Sequence, residues 1–176
     1  MAGQIERETG IIMSLFRAIL LLAVVGFIGA CATKFKTYNG PEVTRVIVYK
    51  ERHKMYLMHN DKVLKRYEIE LGFAPTGHKV IEGDGRTPEG EYVIDRRNPN
   101  STFYLSIGIS YPNAADVAKA KALGKPPGGD IFIHGGRRSI DSSKPDWTAG
   151  CISVSNRQMR DIYAMVRNGT PITIYP

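Results

Sequence analysis

From residue 43 onward the apolar positions fall in short runs broken by Gly, Pro, Asn and Asp. That is the spacing of strands and turns, not of long helices. Residues 43–49, VTRVIVY, are β-branched and predict a strand. Residues 55–59 and 63–71 flank NDK and predict a hairpin, whose second arm alternates with a period near two. GFAPTGHK and EGDGRTPEGE are dense in Gly, Pro and Asp and predict loops, with Asp84 as a turn residue. Residues 92–95, 103–109 and 131–134 predict further strands, 151–154 a brief one, and TPITIYP a closing one. A short helix is expected over 114–123, begun near Asn113 and stopped by Gly124. A second follows Ser155 and Gln158, a capping box, with Met159, Ile162, Tyr163 and Val166 at helical spacing and Gly169 as its stop. The pattern as a whole predicts a mainly β domain, most simply a sandwich, with two or three short helices.

The first thirty residues follow another pattern. Behind Arg17, residues 18–30 are thirteen unbroken apolar and glycine positions. That is short for a membrane span and suited to a signal h-region; an uncleaved anchor helix is the alternative. The stretch ends in IGAC, which resembles a bacterial lipobox, with Gly29 and Ala30 ahead of Cys31. The resemblance implies acylation of Cys31, which becomes the new N-terminus, and Ala32 in place of Asp implies sorting to the outer membrane. The residues before Met13 fit an n-region poorly, so Met13 is a possible start. The expected organisation is a lipoprotein signal peptide over 1–30, a tether over 31–42, and a folded domain over 43–176.

Composition narrows the picture little: 176 residues, 43% hydrophobic, suffice for one folded domain. The net charge of +7 is unchanged by removing residues 1–30, which carry Glu6, Glu8, Arg7 and Arg17. On an exported protein such charge fits anionic wall or membrane surfaces rather than nucleic acid. Cysteine count matters more. The chain has two, Cys31 and Cys151. With Cys31 lipidated, Cys151 is an unpaired thiol in an oxidising periplasm, a liability unless it is buried or has work to do. His53, His59, His78 and His134 are scattered and no CxxC is present, so neither a metal site nor a cofactor is expected.

A catalytic cysteine needs a base. His134 closes the run IFIH, is followed by Gly135 and Gly136, and precedes Cys151 by seventeen residues across a loop. Two strand ends so joined can face each other; a strand-edge histidine and a buried structural cysteine are the alternative. Gly135 permits close approach of substrate. Gly150 permits a tight turn whose N–H groups face a developing oxyanion. Thr148 is the candidate to orient the imidazole through its hydroxyl or carbonyl. Trp147 either lines the donor groove or packs beneath the loop, and Asp146 reads as a loop residue.

In order along the chain, DIFIHGG and DWTAGCISVSN resemble the signature of the L,D-transpeptidase (YkuD-type) catalytic domain. GHKVIEGDGRTPEGEYVI is similar to the segment upstream of it, and RNPNSTFYLSIGISYPN resembles the branch typified by YafK-like murein enzymes. The resemblance implies a β-sandwich with Cys151 as nucleophile and His134 as general base. It implies a peptidoglycan stem peptide as acyl donor, attack on the carbonyl of its third residue, loss of terminal D-alanine, and resolution of the thioester by an amine. Hydrolysis of the same thioester, by an amidase, an L,D-carboxypeptidase or an enzyme detaching protein from the wall, is the alternative. A non-catalytic wall-binding lipoprotein is a third. Two positions depart from the family pattern: Ala149 stands where many members carry a second histidine, and Ser153 where many carry arginine. Arg137, Arg138 and Arg157 are candidates for the missing charge, or simply solvated.

Overall fold

The structure is a computed structural model that describes residues 34–136 and 145–176. The expected signal segment, Cys31, Arg137 and Arg138 lie outside the described residues. Among the described residues eight strands and two helices follow in the order β1 (Arg45–Tyr49), β2 (Lys54–His59), β3 (Lys62–Glu68), β4 (Gly90–Asn98), β5 (Ser106–Ile109), α1 (Ala114–Ala122), β6 (Phe132–His134), β7 (Ile152–Ser153), α2 (Asn156–Met165) and β8 (Pro171–Tyr175). The domain is mainly β, as its alternation predicts.

The first three strands form a meander. Val46 and Val48 of β1 and Met55 and Leu57 of β2 are fully buried, and the residues between them face outward, as period-two alternation requires. Asn60 makes the tight turn into β3 with φ of +51°. β3 is an edge strand. Its outward Lys62, Lys65 and Arg66 oppose edge-to-edge pairing. The expected arm over 63–71 is shorter as a strand, because the chain leaves the β2 ladder after Glu68. Glu70 then bridges to Ser153 and Gly72 to Thr148.

The strands run in the order β3-β2-β1-β8-β4-β5-β6-β7, one continuous sheet rather than two separate ones. Since residues just past β3 reach the β7 end, the sheet curls until its two ends meet. The turn is made in β4. That strand pairs with β8 through Gly90–Val93 and with β5 through Ile94–Asn98, across a register shift between Ile94 and Arg96. Its polar end, Arg96, Arg97 and Asn98, hides the strand in the sequence. Arg97 faces α2, donates to the Tyr163 and Val166 carbonyls at the end of that helix, and stacks on the Tyr163 ring at 3.8 Å.

Both halves of the sheet supply one core, with Val46, Leu57 and Ile172 from one and Ile94, Ile107, Ile133 and Ile152 from the other, all fully buried. α2 closes it with Met159 and Ile162. Each such side chain contributes about 1.5–3 kcal/mol by leaving water. The capping box expected at Ser155 and Gln158 is present, and Asn113 makes another with Asp116. Part of the expected tether lies on the domain: Lys36 pairs with Asp161 of α2 at 2.6 Å, and Phe35 approaches Tyr163.

Candidate active site

β6 is three residues long and lies between β5, antiparallel, and β7, parallel. Ile133 pairs with Ile152, and both are fully buried. Strand alternation therefore turns Phe132 and His134 to the opposite face, and the residue beside Phe132 on the neighbouring strand is Cys151. The Phe132 N–H points at Cys151 Sγ at 3.4 Å. His134 and Cys151 open on one cleft of about 280 Å³, with Asn98, Thr102, Phe103 and Asp130 among its walls. Proximity of the two candidate chemical groups follows from pairing two short strands, β6 ending at His134 and β7 beginning just after Cys151.

The turn before Cys151 is tied through Thr148 and Gly150. Thr148 N–H donates to Leu71 O at 3.2 Å, and Thr148 O accepts from Phe73 N–H at 2.9 Å. The Thr148 hydroxyl donates to Cys151 O at 2.7 Å and accepts from Gly150 N–H at 3.2 Å. Both polar groups of Thr148 thus brace the cysteine turn, and its expected role on the imidazole is not the one it has. The Gly150 N–H, expected to face an oxyanion, is committed to Thr148. Gly150 is required for another reason: its φ is +135°, and a Cβ there would meet Arg86 O at 2.7 Å. Asp146 is more than a loop residue, since it accepts from Leu71 N–H at 2.8 Å and pairs with His53 at 2.9 Å.

The imidazole is oriented by its own neighbour. His134 Nδ1 lies 2.6 Å from Gly135 O. A carbonyl only accepts, so Nδ1 carries the proton, and Nε2 of the neutral ring is the nitrogen able to receive one. Gly135 N–H donates to Leu105 O at 3.2 Å, which leaves its carbonyl, not its N–H, as its contribution to the site. A Cβ at Gly135 would meet Asn156 Oδ1 at 2.6 Å and Phe103 O at 2.9 Å. Phe103 stacks on the imidazole at 4.6 Å, and Trp147 meets it edge-on at 5.8 Å. Trp147 therefore packs against the base. Phe103, expected to start a strand, lies in the loop before β5, and its apolar character inside a polar loop is the signal for its place at the site.

Burial pushes the Cys151 thiol above its ordinary value. The Phe132 N–H works against burial, Asp130 with it, and Lys79 and Arg96 against it. Burial likewise holds His134 below the ordinary imidazole value, and the Gly135 carbonyl opposes this more weakly. The resting pair is therefore a neutral thiol and a neutral imidazole. Among the described residues the cations that act on the sulfur are Lys79, itself buried and paired with Asp84 at 3.0 Å, and Arg96. Arg157 is exposed on α2 instead. The other histidines are engaged elsewhere: His53 with Asp146, His59 with Glu42 O, and His78 with the Glu89 N–H. A second cleft of about 360 Å³ lies at Lys50, His53 and Thr76, but the Lys50 ammonium there is satisfied by Gly77 O, Thr87 O and Glu89.

Comparison with known proteins places the chain in a family. The chain is 26% identical over 186 residues to YafK of Escherichia coli strain K12, a match covering 93% of this chain and 70% of YafK, whose name carries a provisional L,D-transpeptidase assignment. It is 29% identical over 137 residues to YkuD of Bacillus licheniformis, named in the same way, covering 75% of this chain and 66% of that protein. Among solved structures it is similar to the helical cell shape determining protein Pgp2 from Campylobacter jejuni, at 27% identity and a TM-score of 0.59 over 78% of this chain. The match spans 49% of Pgp2, about half its length. Residues 43–174 match the family model of the L,D-transpeptidase catalytic domain, YkuD, and the chain belongs to that family.

Proposed function

We propose that this protein is a lipid-anchored periplasmic cysteine acyltransferase that acts on peptidoglycan stem peptides. The observation that carries the reading is the pairing of β6 with β7. It sets Cys151 and His134 on one face, over one cleft, with Nδ1 committed to Gly135 O and Nε2 left to act. His134 Nε2 takes the thiol proton as sulfur bonds to the donor carbonyl carbon. The tetrahedral oxyanion collapses, the bond to the terminal D-alanine breaks, and the imidazolium gives its proton to the departing amine. An acceptor amine then attacks the thioester. Its proton passes through His134 back to sulfur, and the amide product leaves.

Water is the rival acceptor. What favours it is Ala149, exposed beside the nucleophile and offering only a methyl group to hold an incoming amine. A thioester is intrinsically more reactive toward an amine than toward water, and a bound amine gains effective molarity enough to outrun water at about 55 M. Incubating the full chain in detergent with a tetrapeptide muropeptide and excess amine acceptor is expected to yield mostly amide product, with D-alanine released in step. An acyl adduct on Cys151 that gives only shortened stem at saturating acceptor replaces transfer by hydrolysis. No acyl adduct at all removes the enzymatic reading.

The anchor is a separate part of the proposal and rests on IGAC after the apolar stretch. The mature protein is expected to begin at acylated Cys31 and to sediment with outer membranes, since each buried methylene of its acyl chains contributes about 0.8 kcal/mol. Cys31→Ser is expected to abolish the lipid mass shift measured on the intact protein. A Cys31→Ser protein that keeps that shift excludes the lipobox.

A further inference from the structure

Asp130 stands at the lip of the Cys151 cleft with φ of +55°. Non-glycine residues adopt this left-handed backbone at a cost, aspartate more readily than most. Its carbonyl faces Cys151 Sγ at 3.5 Å, while its side chain is 91% exposed. The carboxylate caps no backbone N–H among the described residues. Its partner there is Arg96, at 3.3 Å, and Arg96 is held more closely by Asp95 at 2.9 and 3.0 Å. An ion pair so exposed contributes little to stability. A negative charge beside the nucleophile also works against thiolate formation. The fold thus holds, on a left-handed backbone, an exposed carboxylate whose Arg96 partner is shared with Asp95 and that opposes the chemistry next to it.

We propose that Asp130 sets specificity for the acyl donor, its carboxylate binding an ammonium on the side chain of the residue whose carbonyl Cys151 attacks. The inference rests on the acyl-transfer reading of this site. The order along this segment assigns the ammonium to the donor and not to the acceptor. Asp130 lies just before β6 and His134 ends it, and Cys151 Sγ lies against the Asp130 carbonyl and the Phe132 N–H, so the acidic residue and the base stand at opposite ends of the segment that the sulfur touches. An acceptor amine must lose its proton to His134 and approaches from that side. An amine held at Asp130 keeps its proton and takes no part in the reaction. The Phe132 ring, backed by the Arg96 guanidinium at 4.5 Å, offers an apolar surface for the methylenes leading to it. Occupation of Asp130 by a cation also cancels the charge that disfavours the thiolate, so the correct donor assists its own attack.

The test compares two tetrapeptide donors, one with lysine as third residue and one with Nε-acetyl-lysine, on the full chain and its Asp130→Asn variant. The wild type is expected to prefer the amine by about fivefold in kcat/KM, the upper range for an exposed ion pair. Asp130→Asn is expected to bring the two donors within about twofold, through KM of the amine donor. Equal preference in wild type and variant overturns the inference while leaving acyl transfer intact. Calorimetric titration of a Cys151→Ala chain with the same peptides gives a reading independent of turnover. Amine-dependent binding without turnover by the wild type overturns the acyl-transfer reading and keeps Asp130 as an ammonium site. Binding indifferent to the amine overturns the Asp130 inference.

Discussion

Cys151→Ala is expected to release no D-alanine and to carry no acyl mass, with a rate loss on the order of 10⁴-fold or more, as for removal of a nucleophile that acts as a unit with its base. Cys151→Ser is expected to fare little better, because burial that already raises a thiol leaves a hydroxyl fully protonated. Neither variant unfolds the domain. Cys151 is half-buried at the cleft, and its sulfur makes only long contacts, at 3.4 and 3.5 Å. The turn is held by Thr148 through the Cys151 carbonyl, which every substitution retains. The melting temperature serves as the control, and the intact mass after incubation with a tetrapeptide donor is the measurement. An acylated Cys151→Ala protein would remove Cys151 from the mechanism.

His134→Gln is expected to lower kcat/KM by about 10²–10⁴-fold, the range for general acid–base groups. Glutamine keeps a polar side chain between Phe103 and Trp147 and so separates lost chemistry from lost packing. The pH profile gives the sharper reading. The base must be neutral, and burial holds the imidazole below its ordinary value near 6.5. Wild-type kcat/KM is therefore retained into mildly acidic solution and falls as pH drops through the lowered imidazole pKa. The thiol is raised, so alkylation of Cys151 by iodoacetamide climbs with pH to beyond the range of an ordinary cysteine. In His134→Gln the acidic limb disappears. Turnover and alkylation at wild-type rates in that variant would exclude the paired mechanism.

Much of the domain was legible because local patterns carry it. Alternation in 45–49 and 54–59 places Val46, Val48, Met55 and Leu57 inside, and the Ser155–Gln158 capping box places the start of α2. Local pattern failed where a residue answers to a distant partner. β4 runs to Asn98 although Arg96 and Arg97 look like loop, because Arg97 is satisfied by the end of α2. The 63–71 arm breaks after Glu68 because Glu70 and Gly72 are required at Ser153 and Thr148.

The same division holds at the site. The sequence by itself determined the family, the nucleophile and its base as candidates, and the need for glycine at 150. These depend on residue type and on neighbours close along the chain. Only the tertiary structure decided which groups serve them. Gly135 O, not Thr148, orients the imidazole; Phe103 and Trp147 wall it; Lys79 and Arg96 act on the sulfur; and Asp130 stands at the lip. Thr148 offers a hydroxyl and a carbonyl wherever the fold turns them, and the curl that joins the region after β3 to β7 turns both into the cysteine turn. Hydrogen-bond direction and ring contacts are set by the pairing of strands far apart in sequence, and no periodicity of apolar residues encodes that pairing.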